Sequence, residues 1–406
     1  MRVLLAAVGS RGDTVPFGAL AARMQAEGHD VLLLTHASLV DTVPPQVPVV
    51  AVPSDPASLL AGPAGAAARR GDPRALNRAR GLFADFLGSF AEPTADALDG
   101  VDVLVASTFA MAAADVAMSR GVPVVRAHLW PESPDLAGPM PLLPYGWVLP
   151  RPLRRGARRG LRGMEAYLAG FIGWWERGRL RLRPYYPAGF SRATLGTLYA
   201  VSPTLVPTGE LRGCVTGWWW TPGTDGLSPQ VEARLTDGDP WVYVGFGSMH
   251  QSRPQRLLDD VAWAARRVGV RAVVQLPGAE GLDDGVVHGI GAEPHPALFA
   301  RTALAVHHGG SGTTGAAVRA GVPSVVVPHF ADQFYWGHRL HRAGVATRSL
   351  PRALLRRESL ARRIEAGLEP AMRRRAADLG ARVSAEDGTG VATRYVEGLL
   401  RGREHR

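Results

Sequence analysis

The sequence predicts an α/β protein made of two Rossmann-like domains with parallel sheets, facing each other across a cleft. Three observations carry that expectation. The chain has 406 residues, more than a single hydrophobic core usually organises. Short apolar runs alternate with amphipathic stretches in two separate series, the pattern of parallel sheets covered by helices on both faces. Between the series lies CVTGWWWTPGTDGLSPQ, rich in Gly, Pro and Thr and suited to a connection. The expected units are therefore 1–213, a linker 214–232, and 233–386, with a C-terminal helix at 387–406 packing back on the first unit.

In the first series, MRVLLAAVGSRGD reads as a buried strand, a glycine turn, and a helix whose apolar positions run from Val15 through Leu20 to Met24. HDVLLLTH is the next strand, and VDVLVAS another, followed by a small-residue helix at 111–118. VPVVRAHLW and TLYAVS complete the unit. The second series runs PWVYVGFGS, a helix at 254–268, RAVVQL, GVVHGIG, LAVHHGG, a helix at 313–320, and PSVVVPH. Residues 54–100 and 141–195 fit the alternation poorly and read as mainly helical insertions. TGVATRYVEGLL is an amphipathic helix starting near Asp387 or Thr389, with a charged tail behind it.

Composition narrows the function classes. Cys214 is the single cysteine, so neither an internal disulfide nor a cysteine-based zinc site is expected, and the chain reads as cytoplasmic. The opening apolar run at 3–8 is too short for a signal-peptide core, and no other run reaches membrane-spanning length. All 46 basic residues are arginine, and the net charge is +10. Between Arg151 and Arg192 stand eleven arginines against only Glu165 and Glu176. No nucleic-acid motif accompanies them. The segment has two readings: contact with an anionic acceptor or a peripheral membrane surface, and a solvated arginine-rich face. The surrounding aromatics, Trp147, Tyr167, Phe171, Trp174, Trp175, Tyr185 and Tyr186, likewise read as acceptor surface or as helix packing.

The chemistry concentrates in HHGGSGTTGAAVRAGVPSVVVPHFADQ, residues 307–333. A strand ends there and a helix begins, so the unpaired amides of the helix's first turn, with the positive end of its dipole, form an anion site. Gly309, Gly310 and Gly312 let phosphate oxygens approach the backbone, Ser311 and Thr313 offer hydroxyls, and His308 offers an N–H or a positive charge. The run is neither a Walker A loop nor a dinucleotide fingerprint.

Together with GSRGDTVPFGALAARMQAEGHDV and VYVGFGSM, and the continuation of the run into FYWG, this segment resembles the GT-B nucleotide-sugar glycosyltransferases. The likeness is to the bacterial enzymes that glycosylate glycopeptide and polyketide aglycones, and to the related sterol glucosyltransferases. The resemblance implies that His308, Gly310, Ser311, Gly312 and Thr313, with Ser248, hold the donor diphosphate, and that Asp332 and Gln333 hold sugar hydroxyls. It implies Asp13 as the general base, and Glu293, Pro294 and His295 as the nucleobase loop. Acceptor contacts fall to the first domain, at Ser10, Thr108, Met111, His128 and Trp130. The ligands implied are a UDP- or dTDP-sugar and a small-molecule aglycone, with no cofactor and no nucleic acid.

Several of these residues have a second reading. Asp13 is also a first-turn acid of its helix, and Asp332 is a second candidate for the base. His307 reads as a strand-end residue, and His128 as an acceptor or a core histidine. Asp237-Gly238-Asp239 has the form of a metal-binding Asp-x-Asp, yet it directly precedes Pro240 and a strand and reads as a turn; no metal site is expected. The leading expectation is an inverting sugar transferase. A sterol or membrane-lipid acceptor is its alternative, and a nucleotide-sugar epimerase is the alternative of another class.

Overall fold

The computed structural model describes residues 1–62, 80–132, 141, 144–150, 152–157, 159–160, 194–209, 211–221, 226–235, 240–247 and 254–404. Seven strands form the first sheet: β1 (Arg2–Ala6), β2 (Asp30–His36), β3 (Val49–Val52), β4 (Val103–Ser107), β5 (Val124–His128), β6 (Gly196–Tyr199) and β7 (Cys214–Val215). Their order is β3-β2-β1-β4-β5-β6-β7, every pair parallel. The helices of this half are α1 (Arg11–Ala26), α2 (Pro56–Ala61), α3 (Arg80–Gly88), α4 (Ala91–Ala97) and α5 (Met111–Ser119). The second sheet holds β8 (Trp241–Gly245), β9 (Arg271–Gln275), β10 (Val287–Gly289), β11 (Leu304–His307) and β12 (Ser324–Val326), in the parallel order β10-β9-β8-β11-β12. With it come α6 (Pro229–Arg234), α7 (Pro254–Val268), α8 (His295–Phe299), α9 (Ser311–Arg319), α10 (Gln333–Arg342), α11 (Arg357–Gly367), α12 (Pro370–Ser384) and α13 (Gly388–Glu404).

Alternate strand residues build the two faces of each sheet, since successive side chains point opposite ways. On β1, Val3 and Leu5 pack with Phe17, Leu20 and Met24 of α1 and with Ala392 and Val396 of α13. Leu4 and Ala6 pack on the other side with Ala91 of α4 and with Ala113 and Val116 of α5. On β8, Val242 and Val244 meet Leu258 and Val261 of α7 and Ile364 of α11, while Tyr243 meets Leu298 of α8 and Ala316 of α9. Strands covered on both faces explain the continuous apolar runs.

Some boundaries differ from the sequence reading. Cys214 and Val215 are not linker but an edge strand paired to β6. The short β3 had no strand expected, because its four residues lie between prolines. The helix expected at 313–320 begins at Ser311, two residues nearer the glycines. α13 continues to Glu404, through most of the charged tail, and lies along α1, where Arg23 pairs with Asp387 at 3.1 Å and His29 with Glu397 at 3.0 Å. Much of the arginine-rich stretch, including Arg151, Arg158, Arg162 and Tyr167 to Tyr186, lies outside the described residues, as do Ser248 and Asp237 to Asp239. Among the described residues, no helix is long and apolar enough to cross a membrane.

Candidate functional site

Each sheet reverses its chain order once, beside β1 and β4 in the first and beside β8 and β11 in the second. In open α/β sheets the loops leaving such strands diverge and open a ligand crevice at their carboxyl ends. Gly9 to Asp13 leave β1, Thr108 to Met111 leave β4, and His308 to Ser311 leave β11. The topology therefore puts the GSRGD and HHGGSG motifs at the two switch points.

Asp13 sits in the first turn of α1, with Ser10 as N-cap. Its Oδ2 accepts from the Ser10 N–H at 2.7 Å and from the Ser10 Oγ–H at 3.0 Å. Its capping role and its candidate role as a base thus belong to one side chain, and the hydroxyl of Ser10, expected to serve the acceptor, is directed to Asp13. The carboxylate folds back over Gly9, whose φ of 141° suits glycine and where any Cβ would overlap Oδ2. His36 supports the loop: its Nε2 accepts from the Gly9 N–H at 3.0 Å, which places the ring proton on Nδ1, facing Ser54 Oγ at 2.8 Å. The ring stacks on Phe86 with centroids 4.9 Å apart, and burial pulls its pKa down to about 4, so it stays neutral. Burial pushes Asp13 up to about 6, against the opposing effect of the Ser10 bonds. Such a carboxylate is ionised at neutral pH and more basic than a solvated one.

Across the cleft, the first internal bond of α9 runs from Thr314 N–H to Gly310 O at 2.9 Å. The amides of Ser311, Gly312 and Thr313 precede that ladder. His308 lies over Gly310, where a Cβ would come within 2.5 Å of its Nε2; only glycine lets the imidazole lie there. Burial, then the neighbouring His329 and His295, pull His308 down to about 3. It is a neutral N–H donor and not the positive charge that was its other reading. Its Nδ1 is buried without a hydrogen-bond partner among the described residues. His307 ends β11 and accepts the Gly309 N–H on Nδ1 at 3.1 Å, as its strand-end reading expects. The Ser311 hydroxyl is committed elsewhere: it donates to Leu129 O at 2.7 Å, just past β5 of the other domain, and receives the Trp218 Nε1–H at 3.4 Å. What Ser311 offers an anion is its backbone amide.

Asp332 stands at the N-cap position of α10, without a side-chain capping bond, directly after Ala331, a non-glycine residue held at φ 54°. Burial raises its pKa to about 7; the Trp336 N–H opposes this, and the charge of Asp13 adds to it. Carboxylates from the two domains thus feel each other across the cleft. Gln333 is buried, and its Oε1 accepts from the His329 and Phe330 amides at 2.7 and 3.2 Å, so it secures the loop that carries Asp332.

Of the three residues proposed for the nucleobase, Glu293 is otherwise engaged. It binds the N–H and hydroxyl of Ser228, at the start of α6, while Pro294 stands at the N-cap position of α8. His295 meets Tyr243 OH through Nε2 at 3.2 Å and stacks on Phe299 at 5.0 Å. On the acceptor side, Thr108 Oγ1 and His128 Nδ1 are 2.9 Å apart, and His128, buried, stacks on Tyr199. Met111 opens α5. Trp130 packs on the exposed Phe109 at 5.8 Å. The sequence reading missed His36 and the tryptophans of the connection. Trp218 packs on Trp336 at 5.9 Å and Trp219 on Phe17 at 5.5 Å. A run of three adjacent tryptophans between two domains was the available signal. Among the described residues, only Glu27, His29 and Glu397 cluster with metal-ligand spacing, and they belong to the α1–α13 contact, away from the cleft motifs.

Residues 3–64 match the glycosyltransferase family 28 N-terminal domain, and residues 257–397 match the erythromycin biosynthesis protein CIII-like C-terminal domain. The O-mycaminosyltylonolide 6-deoxyallosyltransferase of Streptomyces fradiae is 32% identical over 98% of this chain and 97% of that enzyme. The sterol 3-beta-glucosyltransferase of Neosartorya fischeri is 31% identical over 98% of this chain, which spans 29% of that protein's length. The crystal structure of the glycosyltransferase VinC in complex with dTDP superposes with a TM-score of 0.71 at 18% identity, covering 100% of both chains.

Proposed function

The chain belongs to the GT-B family of nucleotide-sugar glycosyltransferases related to the antibiotic-tailoring and sterol enzymes, and from that premise we propose that it is an inverting transferase. It moves a sugar from a UDP- or dTDP-sugar to a hydroxyl of a small-molecule natural-product aglycone. One observation carries this reading. A buried-side carboxylate of one domain and the anion-binding start of a helix in the other stand at facing switch points, joined by the 2.7 Å contact of Ser311 with Leu129.

The acceptor hydroxyl gives its proton to Asp13 as its oxygen attacks the anomeric carbon from the face opposite the diphosphate. The bond from that carbon to the diphosphate oxygen breaks, and the configuration inverts. The negative charge that leaves is received by the amides of Ser311, Gly312 and Thr313 and by the N–H of His308. Asp332 accepts from a sugar hydroxyl, and His295 lies on the nucleobase side. These groups act without a metal. The dTDP complex of VinC makes dTDP-sugars the first donors to try. A second reading, with a sterol as acceptor, is favoured by the 31% identity to the sterol enzymes. Incubating the protein with donor and candidate acceptors, followed by mass spectrometry, tests both. An acceptor mass increased by one sugar supports transfer. Conversion of the donor sugar to its epimer without any acceptor overturns it.

A further inference from the structure

Trp336 follows Asp332 by one turn of α10 and is 0% exposed. Its Nε1–H donates to Asp332 Oδ2 at 2.8 Å. The other oxygen, Oδ1, accepts no bond from another residue among those described. An indole has one donor and no acceptor, so a buried indole chooses one partner and holds it. The ring cannot easily turn away, because Trp218 and Tyr335 pack on it with centroids 5.9 and 5.5 Å apart. Trp218 in turn directs its own N–H to Ser311 Oγ. Two adjoining indoles therefore grip the residue at the head of α10 and the residue at the head of α9.

We propose that Trp336 is a positioning residue for the donor sugar: by holding Oδ2 it leaves Oδ1 of Asp332 turned to a sugar hydroxyl and keeps that carboxylate able to accept. The inference rests on the assignment of Asp332 to the sugar. The N–H favours the ionised carboxylate, against burial and the charge of Asp13. Two terms then depend on one bond: the direction of Oδ1, and the pH at which it becomes an acceptor.

The test compares Trp336→Phe with a protein carrying benzothienylalanine at 336, which keeps the bicyclic shape and replaces the N–H by sulfur. Both should raise the KM for the sugar nucleotide roughly tenfold, the usual scale for a hydrogen bond to a charged group, with the Kd of the free nucleoside diphosphate unchanged. The pH at which donor KM improves should move upward in both, since the removed bond lowers the Asp332 pKa. A donor lacking the sugar hydroxyl held by Asp332 should show no difference between variant and wild type. If Asp332→Ala raises the donor KM while benzothienylalanine at 336 does not, the role of Trp336 is overturned and that of Asp332 stands. If Asp332→Ala leaves donor KM unchanged, the sugar assignment falls and the inference falls with it.

Discussion

Replacing Asp13 by Asn separates what the carboxylate does for chemistry from what its burial does to the fold. Asn keeps the shape, and its one oxygen can take the place of Oδ2, which accepts from both the Ser10 N–H and the Ser10 hydroxyl, so the start of α1 survives. The base does not. With a pKa of about 6, Asp13 is roughly nine-tenths ionised at pH 7, and losing it should lower transfer by about 10²- to 10⁴-fold. In the wild type, kcat/KM should fall as pH drops through about 6, because the base must be unprotonated. Stability moves the other way. The rise from 3.8 to about 6 corresponds to roughly 3 kcal/mol against the ionised folded state, reduced to about 1–2 kcal/mol because the side chain keeps some solvent. The folded pKa is raised, so the wild type is most favoured below the unfolded pKa and loses that contribution as pH rises through about 6. The variant should therefore melt a few degrees above wild type at pH 8, at about 2–4 °C per kcal/mol for a unit of this size, and level with it at pH 4. Stopped assays and differential scanning calorimetry across pH 4–8 give both readouts. Near-normal transfer removes Asp13 from the chemistry, and a melting difference that is equal at pH 4 and pH 8 refutes the buried charge.

His308→Ala should weaken binding of the free nucleoside diphosphate by about tenfold or more and lower turnover with it; calorimetry showing unchanged affinity would make the histidine structural. Because the ring is neutral in the unliganded protein, its loss should cost similar affinity at pH 6 and pH 8. Ser311→Ala removes the bond to Leu129 O, so it should cost about 1 kcal/mol of thermal stability with nucleoside diphosphate affinity nearly intact; a tenfold loss of affinity would show that the hydroxyl leaves Leu129 for the phosphates. Transfer should continue in excess EDTA, and its abolition there, restored by a divalent cation, would contradict charge neutralisation by α9 and His308.

The strands and the two motif-bearing loops were legible because each signal is local. Apolar runs such as VLLAAV and LAVHH end at glycines, and a strand end followed by a helix start is written within a dozen residues. The placement of Asp13 in the first turn of α1 was legible for the same reason, as was that of the amides at the start of α9. What escaped depends on partners far along the chain. Glu293 reads as a loop acid beside the nucleotide site until Ser228, 65 residues earlier, occupies both its oxygens. Ser311 reads as a phosphate ligand until Leu129, 182 residues earlier, takes its proton. His36 shows only as the polar end of a strand, although it fixes the Gly9 peptide beneath the Asp13 carboxylate. The edge strand Cys214–Val215 has two residues, too few for any period to appear.

In the proposed reaction one face of the anomeric carbon is attacked by an acceptor oxygen activated at Asp13 while the diphosphate leaves toward α9. The most direct measurement is proton NMR of the purified product made from a dTDP- or UDP-sugar of known anomeric configuration. Attack from the face opposite the diphosphate should give a glycoside whose anomeric coupling shows the configuration opposite to that of the donor, formed at a rate that collapses in Asp13→Asn. A product that retains the donor's configuration would rule out a single inverting displacement.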